Sequence, residues 1–247
     1  MNDIFHDMPA VIVYIDDILI FMKTKKGHNE IVMEVLCRLK KNNLFVKPEK
    51  CFFKVQEVEI LGLIIGPNRI KMDSKKVEAT TAWPAPTKVK KVQSFLGLVN
   101  FYRHFVNNFS KVAKPLHELM HKNTEWKWTD KCQIAFDNPK NIFISQPVLS
   151  IVDTTKLLRI ESDASEYATD AVLSILQDDS KWHPCTYVST GFNDMEWNYE
   201  VHNKEMMGII CALEAWQHYL EGCKHKIKIW TDHQNLEYFI LAKKLNR

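Results

Sequence analysis

No apolar run in the chain approaches the ~18–20 residues that a membrane-spanning helix needs. The opening residues, MNDIFHDMPA, hold no basic segment followed by an apolar core, so they do not read as a secretory signal. No CxxC pair occurs among the six scattered cysteines, Cys37, Cys51, Cys132, Cys185, Cys211 and Cys223. That spacing argues against a zinc site and against a disulfide framework, and reads as reduced thiols in an intracellular protein. There is no internal repeat and no low-complexity tract, which leaves out solenoids and tails. What is present is 46% hydrophobic and 26% charged residues, enough apolar material for a core and little room for disorder. At 247 residues, one large domain or two to three small ones fit.

Net charge is +3, unevenly spread. Between Lys71 and Lys122 ten Lys/Arg face three Asp/Glu, an excess of seven, so the remainder carries about −4. A basic middle between acidic flanks suits a polyanion-binding surface; a solvated basic helix face fits the same composition.

Periodicity supplies the elements. Residues 1–8 read as the end of a helix, and 11–22 as strand. In 28–42 (HNEIVMEVLCRLKKN), Ile31, Val35, Leu36 and Leu39 share one helical face. Short strands are expected at 44–46 (LFV) and 58–65 (VEILGLII), with a turn at Gly66-Pro67-Asn68. This order suggests an α+β unit. Trp83-Pro84-Ala85-Pro86 breaks the chain. Thr87 stands at the expected N-cap of a helix through about Phe105, and a second helix is expected over 111–121. Further on, 157–165 (LLRIESDAS), 171–176 and 184–189 read as three strands, 203–221 as a long helix, and 226–233 (KIKIWTDH) as a fourth strand. That is a second, α/β unit.

Asp16 and Asp17 sit in the middle of VIVYIDDILIF. A buried unpaired carboxylate costs several kcal/mol, roughly, so the acids need a cation or a proton. A tight hairpin is the economical geometry, with the acids at its turn and able to meet a hard cation such as Mg²⁺. The residues alone leave open an ordinary hairpin with acidic turn residues.

Six collinear blocks carry a family resemblance over nearly the whole chain. Tyr14-Ile15-Asp16-Asp17 resembles the YxDD box of reverse transcriptases. KPEKC (47–51) and EILGLII (59–65) resemble the end of the palm and the primer grip. WPAPTKVKKVQSFLGLVNFYRHFVNNFSKVAKPL (83–116) resembles the thumb of gypsy-type long-terminal-repeat retrotransposons. ESDASEYA (161–168), NYEVHNKE (198–205) and WTDHQNLEYF (230–239) resemble their ribonuclease H domain.

The resemblance implies an α+β and α/β multidomain chain: a partial polymerase palm over 1–72, a helical thumb and connecting segment over 73–150, and an RNase H-like mixed sheet with helices over 151–247, truncated at its C-terminus. It implies an RNA-directed DNA polymerase, a nucleotidyltransferase, joined to an endonuclease of RNA/DNA hybrids. Asp16 would hold two metal ions, with Asp17 supporting less directly; Asp163, Glu205 and Asp232 match three of the four acids of a ribonuclease H site. Mg²⁺ is the implied ion, with Mn²⁺ as the alternative, and the chemistry is two-metal phosphoryl transfer. Tyr14 would lie near the primer end, Leu61 and Gly62 would position the primer strand, and Lys47 or Lys50 would sit near the leaving phosphate. Lys88, Lys90, Lys91 and Arg103 would contact phosphates. Glu161, Glu166 and Asp170 read as solvated acids, His202 and His233 as core or supporting residues, and Phe101, Tyr102, Trp126 and Trp128 as packing residues that could also stack on bases. Implied partners are a primer–template and RNA/DNA hybrid, a second copy, and polyprotein neighbours such as protease and integrase, in a cytoplasmic virus-like particle or the nucleus.

Four features depart from the pattern. Upstream of Tyr14 there are 13 residues, too few for the palm's first metal-binding Asp and the fingers, and the fourth ribonuclease H acid would fall beyond Arg247. The expectation is therefore two incomplete acidic sites and an isolated chain without activity, with a nucleic-acid-binding remnant or a decayed element as the alternatives. Asp170 stands where the family has Gly, and Pro139 falls where it continues a helix that proline would break or kink.

Overall fold

The computed structural model describes residues 1–22, 24–122, 124–145 and 147–232. His233, the rest of the 230–239 block and the end of the 151–247 segment lie outside the described residues. The chain divides into two units, 1–67 and 68–247.

The first unit opens with α1 (Asn2–Phe5) and a hairpin of β1 (Val11–Tyr14) and β2 (Asp17–Ile20), followed by α2 (Lys25–Lys41). The hairpin pairs Val11 with Ile20 and Val13 with Ile18, and these four residues pack with Phe5, Ile31, Val35 and Leu39. The opposite face leaves Ile12 and Tyr14 exposed, so a run of unbroken apolar residues has only one buried side. Thr24 caps α2 through its hydroxyl, which accepts from the Gly27 N–H. Its far end closes as a Schellman motif. Asn43 takes φ 56°, its N–H donates to the Lys40 carbonyl, and the Leu44 N–H donates to that of Leu39. Leu44 is thereby drawn into the core beside Leu39, so 44–46 forms no strand. A 3₁₀ turn at Pro48–Lys50 follows. The stretch 58–65 is two strands, β3 (Val58–Ile60) and β4 (Leu63–Gly66), paired antiparallel with Ile60 opposite Leu63. Leu61 at φ 53° and Gly62 at φ 76° make the two-residue turn, and this handedness matches the strand twist.

The second unit runs β5 (Arg69–Met72), α3 (Ser74–Thr81), α4 (Val89–Phe101), a 3₁₀ turn at Arg103–Phe105, α5 (Phe109–Glu118), α6 (Asp130–Ile144), β6 (Leu149–Ser150), β7 (Leu158–Ala164), β8 (Ala168–Leu176), β9 (Trp182–Gly191), α7 (Val201–Ala215), α8 (Gln217–Leu220) and β10 (Lys228–Trp230). The N-cap of α4 is Lys88, one residue past Thr87, because the first helical carbonyl to accept, from Lys91 and Val92, is that of Lys88. Val92, Phe95 and Val99 are fully buried, and Phe95 meets Phe136 of α6 with ring centroids 4.5 Å apart. Pro139 lies inside α6, which continues unbroken from Asp130 to Ile144. Proline in a helix interior costs about 3 kcal/mol; here Cys132, Ala135, Phe136, Pro139 and Phe143 form one buried stripe, and that packing holds the helix. Tyr102 is also buried, with its ring against Phe143, and Trp128 donates its N–H to Gln133 while packing on Phe136.

The sheet order is β10-β7-β8-β9, with β10 parallel to β7 and the other pairs antiparallel. Helix α7 covers one face, over Leu158, Ile160, Ala171 and Leu173, with Ala212 on its buried side and Trp216, just past its end, packed in the same core. The approach is close at Gly208, where an added Cβ would lie 2.7 Å from the Ser162 hydroxyl oxygen. On the other face the Ser110 N–H at the start of α5 donates to the Ser189 hydroxyl at 2.8 Å. The expected long helix is thus two, divided at Trp216.

Candidate metal centre

Three elements bring three acids together. Asp163 is the penultimate residue of β7, Glu205 lies in the second turn of α7, and Asp232 follows β10 by two residues. The parallel register pairs Trp230 with Glu161, so two further residues along each strand bring Asp232 beside Asp163. Oxygens of all three carboxylates lie within 4.8 Å of one another.

Glu205 is 3% exposed, whereas Asp163 and Asp232 open to solvent. It accepts from the Ala164 N–H at 3.3 Å and from the Thr231 hydroxyl at 3.4 Å, which ties it to both neighbouring strands. Burial raises the Glu205 carboxyl above the usual glutamate range, and the charges of Asp163 and Asp232 add to the rise. An all-oxygen set with a desolvated acid between two others fits a hard divalent cation, which would remove the repulsion the fold maintains.

Asp170 corrects a sequence expectation. It is 6% exposed, not solvated, because β8 places it opposite Asp163 and against Ser189 under α5. Among the described residues its Oδ1 has no hydrogen-bond partner. Desolvation raises its carboxyl, while the Ser189 hydroxyl partly offsets the rise. Alternation along β8 puts Asp170 on the face opposite Ala171 and Leu173, where α5 lies. Of the other acids, Glu166 is exposed and Glu161 pairs with Arg159, whose guanidinium lies between Trp182 and Trp230. His202 stands beside Glu200 on the α7 entry.

In the first unit the hairpin turn is Ile15-Asp16, and Asp17 begins β2 opposite Tyr14. Ile15 takes φ 52° and is 73% exposed, a strained position for a β-branched residue. Asp16 and Asp17 are exposed; among the described residues they belong to no group of three metal-donor side chains. Tyr14 is half exposed beside them. Leu61 and Gly62 form their own turn; Lys47 precedes the exposed 3₁₀ turn and Lys50 ends it. Lys88, Lys90, Lys91 and Arg103 are all exposed, the three lysines at the N-terminal end of α4, where no acid stands in the first turn.

Residues 1–65 match the family model for reverse transcriptase (RNA-dependent DNA polymerase), and 128–229 match the RNase H-like domain found in reverse transcriptase. The Tf2-3 and Tf2-7 transposon polyproteins of Schizosaccharomyces pombe are each 38% identical over 226 residues, 92% of this chain and 17% of theirs. Among solved structures, the foamy viral protease-reverse transcriptase dRH in complex with dsDNA shares the fold at TM-score 0.80 and 24% identity, over 100% of this chain and 44% of that one. Its counterpart in complex with RNA/DNA hybrid gives TM-score 0.78 at 24% identity, over 100% of this chain and 34% of that one. The class is therefore the reverse transcriptase with an RNase H-like domain. The curated relatives it matches are retrotransposon polyproteins, of whose length the chain spans about a sixth. Both domain families work with divalent metal ions. No helix among the described residues is long and apolar enough to cross a membrane.

Proposed function

We propose that, as part of a longer polyprotein, the second unit cleaves the RNA strand of an RNA/DNA hybrid, and that Asp163, Glu205 and Asp232 hold Mg²⁺ for that reaction, with Mn²⁺ able to replace it. The observation that carries this reading is the convergence of the three carboxylates within 4.8 Å from separate elements. Bound there, the ions supply Lewis acidity toward the phosphodiester and lower the pKa of an attacking water. Asp163 and Asp232, both solvent-facing, provide the accessible oxygens, and Glu205 provides the buried anchor that orients the set. A hybrid cleaved in Mg²⁺ by the polyprotein, and left intact when it carries Asp163→Asn, is the expected outcome. Unchanged cleavage by that variant would sink the assignment.

The first unit serves the polymerase of the same polyprotein. The hairpin offers Asp16, with Asp17, as metal ligands for nucleotidyl transfer, next to Tyr14 at the primer end. The Leu61-Gly62 turn contacts the primer strand. A division into palm (1–72), thumb and connection (73–150) and RNase H domain (151–247) accompanies this reading. Lys88, Lys90, Lys91 and Arg103 contact backbone phosphates. Three lysines stacked on the positive end of the α4 dipole repel one another and that dipole, and a polyanion relieves both. Primer–template and hybrid are the ligands; the relatives are polyproteins, of which this chain spans 17%, and protease, integrase and a second copy are the proposed partners. A virus-like particle in the cytoplasm, or the nucleus, is the proposed location.

A further inference from the structure

At the end of the sheet that carries the three acids lies a cleft of about 420 Å³ that the reading above leaves unused. Its walls include Phe109, Lys114 and His117 from α5, Tyr167 from the β7–β8 turn, Phe192 and Trp197. Tyr167 comes four residues after Asp163 on the same hairpin, so the cleft opens at the end of the sheet where the acids meet.

Trp197 is 53% exposed and Tyr167 36%, an apolar surface that burial would normally cover. The backbone that carries Trp197 is held in place. The turn before α7 is bonded reciprocally: Asn193 Oδ1 accepts from the Met195 and Glu196 N–H groups at 3.0 Å each, and Glu196 Oε2 accepts from the Asn193 N–H at 2.8 Å. The Trp197 backbone N–H donates to the Asn193 carbonyl at 3.0 Å. The two rings stand 5.8 Å apart at 43°. Lys114 Nζ lies 3.1 Å from the Tyr167 centroid and 5.4 Å from that of Trp197, with Glu118 at 3.8 Å as an exposed partner. An exposed indole face with an ammonium 5.4 Å from its centroid is the pair of groups that a nucleotide engages: the base stacks, and the phosphate meets a point charge.

We propose that this cleft binds an unpaired nucleotide of a strand running past the metal centre, with the base on Trp197 and the phosphate on Lys114. The proposal rests on the reading that the metal centre acts on nucleic acid. Stacking of this kind tolerates any base, so the subsite holds a strand in place without selecting sequence.

Fluorescence anisotropy of labelled oligo(dT) with the full chain tests it, alongside an abasic oligonucleotide of the same length. Trp197→Ala is expected to weaken oligo(dT) binding about 5- to 100-fold. Trp197→Phe is expected to keep most of the affinity, and the abasic strand to bind the unaltered chain as poorly as oligo(dT) binds Trp197→Ala. Should Trp197→Ala melt early, Lys114→Ala carries the test: it weakens binding and lowers the salt slope by about 1, with Lys114→Arg restoring both. Equal affinity of Trp197→Ala and the unaltered chain, equal affinity for abasic and normal strands, or no oligo(dT) binding at all overturns the proposal. Calorimetric titration with Mn²⁺ separates the two readings. Mn²⁺ binding that needs Asp163 but accompanies no Trp197-dependent affinity leaves the metal centre standing and removes the cleft. The reverse pattern removes the metal centre alone.

Discussion

Asp170 and Cys185 show how burial sets the chemistry of single residues. Asp170 carries an unpartnered oxygen beneath α5, and its charge is opposed by desolvation and by Asp163. Asp170→Asn is therefore expected to stabilise the fold by about 1 kcal/mol at neutral pH, a rise in Tm of about 2–4 °C. The folded carboxyl lies above its unfolded value, so the penalty is present at high pH. It declines as pH falls through the raised pKa and vanishes below ~3.9. Thermal melts of both proteins from pH 7 to pH 4 check this; a gap that widens on acidification would refute it. Asp7 has the opposite sign. Arg38 beside it lowers its carboxyl to about 2, so the stabilisation is present above the ordinary aspartate pKa and is lost as pH falls toward 2. Cys185 is buried, and desolvation pushes its thiol up to about 12. In native protein at neutral pH it is expected to resist a thiol reagent that labels exposed Cys37, as mass spectrometry of the modified peptides would show.

At the scale of elements, closeness of approach decides what each helix can do. Glu205 reaches the other acids because α7 sits tightly on β7 and β8, and Gly208 permits that. Gly208→Ala forces a methyl against the Ser162 hydroxyl and is expected to cost about 1–3 kcal/mol, read by urea unfolding. The same displacement is expected to weaken Mn²⁺ binding, since it lifts Glu205 from Ala164. No change in either quantity would mean that the helix position is not set there. In the first unit, the Schellman end of α2 turns Leu44 inward, and the αL Asn43 makes that possible. The strained Ile15 holds the hairpin turn on which Asp16 lies.

At the scale of the whole molecule, the basic middle of the chain becomes a testable surface. Reversing the charge of Lys88, Lys90 and Lys91 together is expected to weaken hybrid binding and to reduce its log–log salt slope by about 3. An unchanged slope would show that these lysines face solvent only. Much of this organisation was legible beforehand. The YIDD hairpin, the helix of 28–42, the strands around Asp163 and the long helix bearing Glu205 follow from apolar spacing and from acids standing where apolar runs end, and those signals are local. Other features were illegible because they depend on residues distant in sequence. LFV reads as a strand until Asn43 turns Leu44 back onto Leu39. Pro139 reads as a break until Phe136 and Phe143 pack on either side of it. Asp170 reads as solvated until β7, β9 and α5 close over it. The sequence by itself determined the kinds of elements, their order and the acids available for chemistry, since these rest on residue spacing along one chain. Only the tertiary structure decided which acids meet, which one is buried with an unpartnered oxygen, and that Lys114 stands over Tyr167. Those outcomes depend on strand register and helix approach across dozens of residues, where desolvation and packing outweigh local preference.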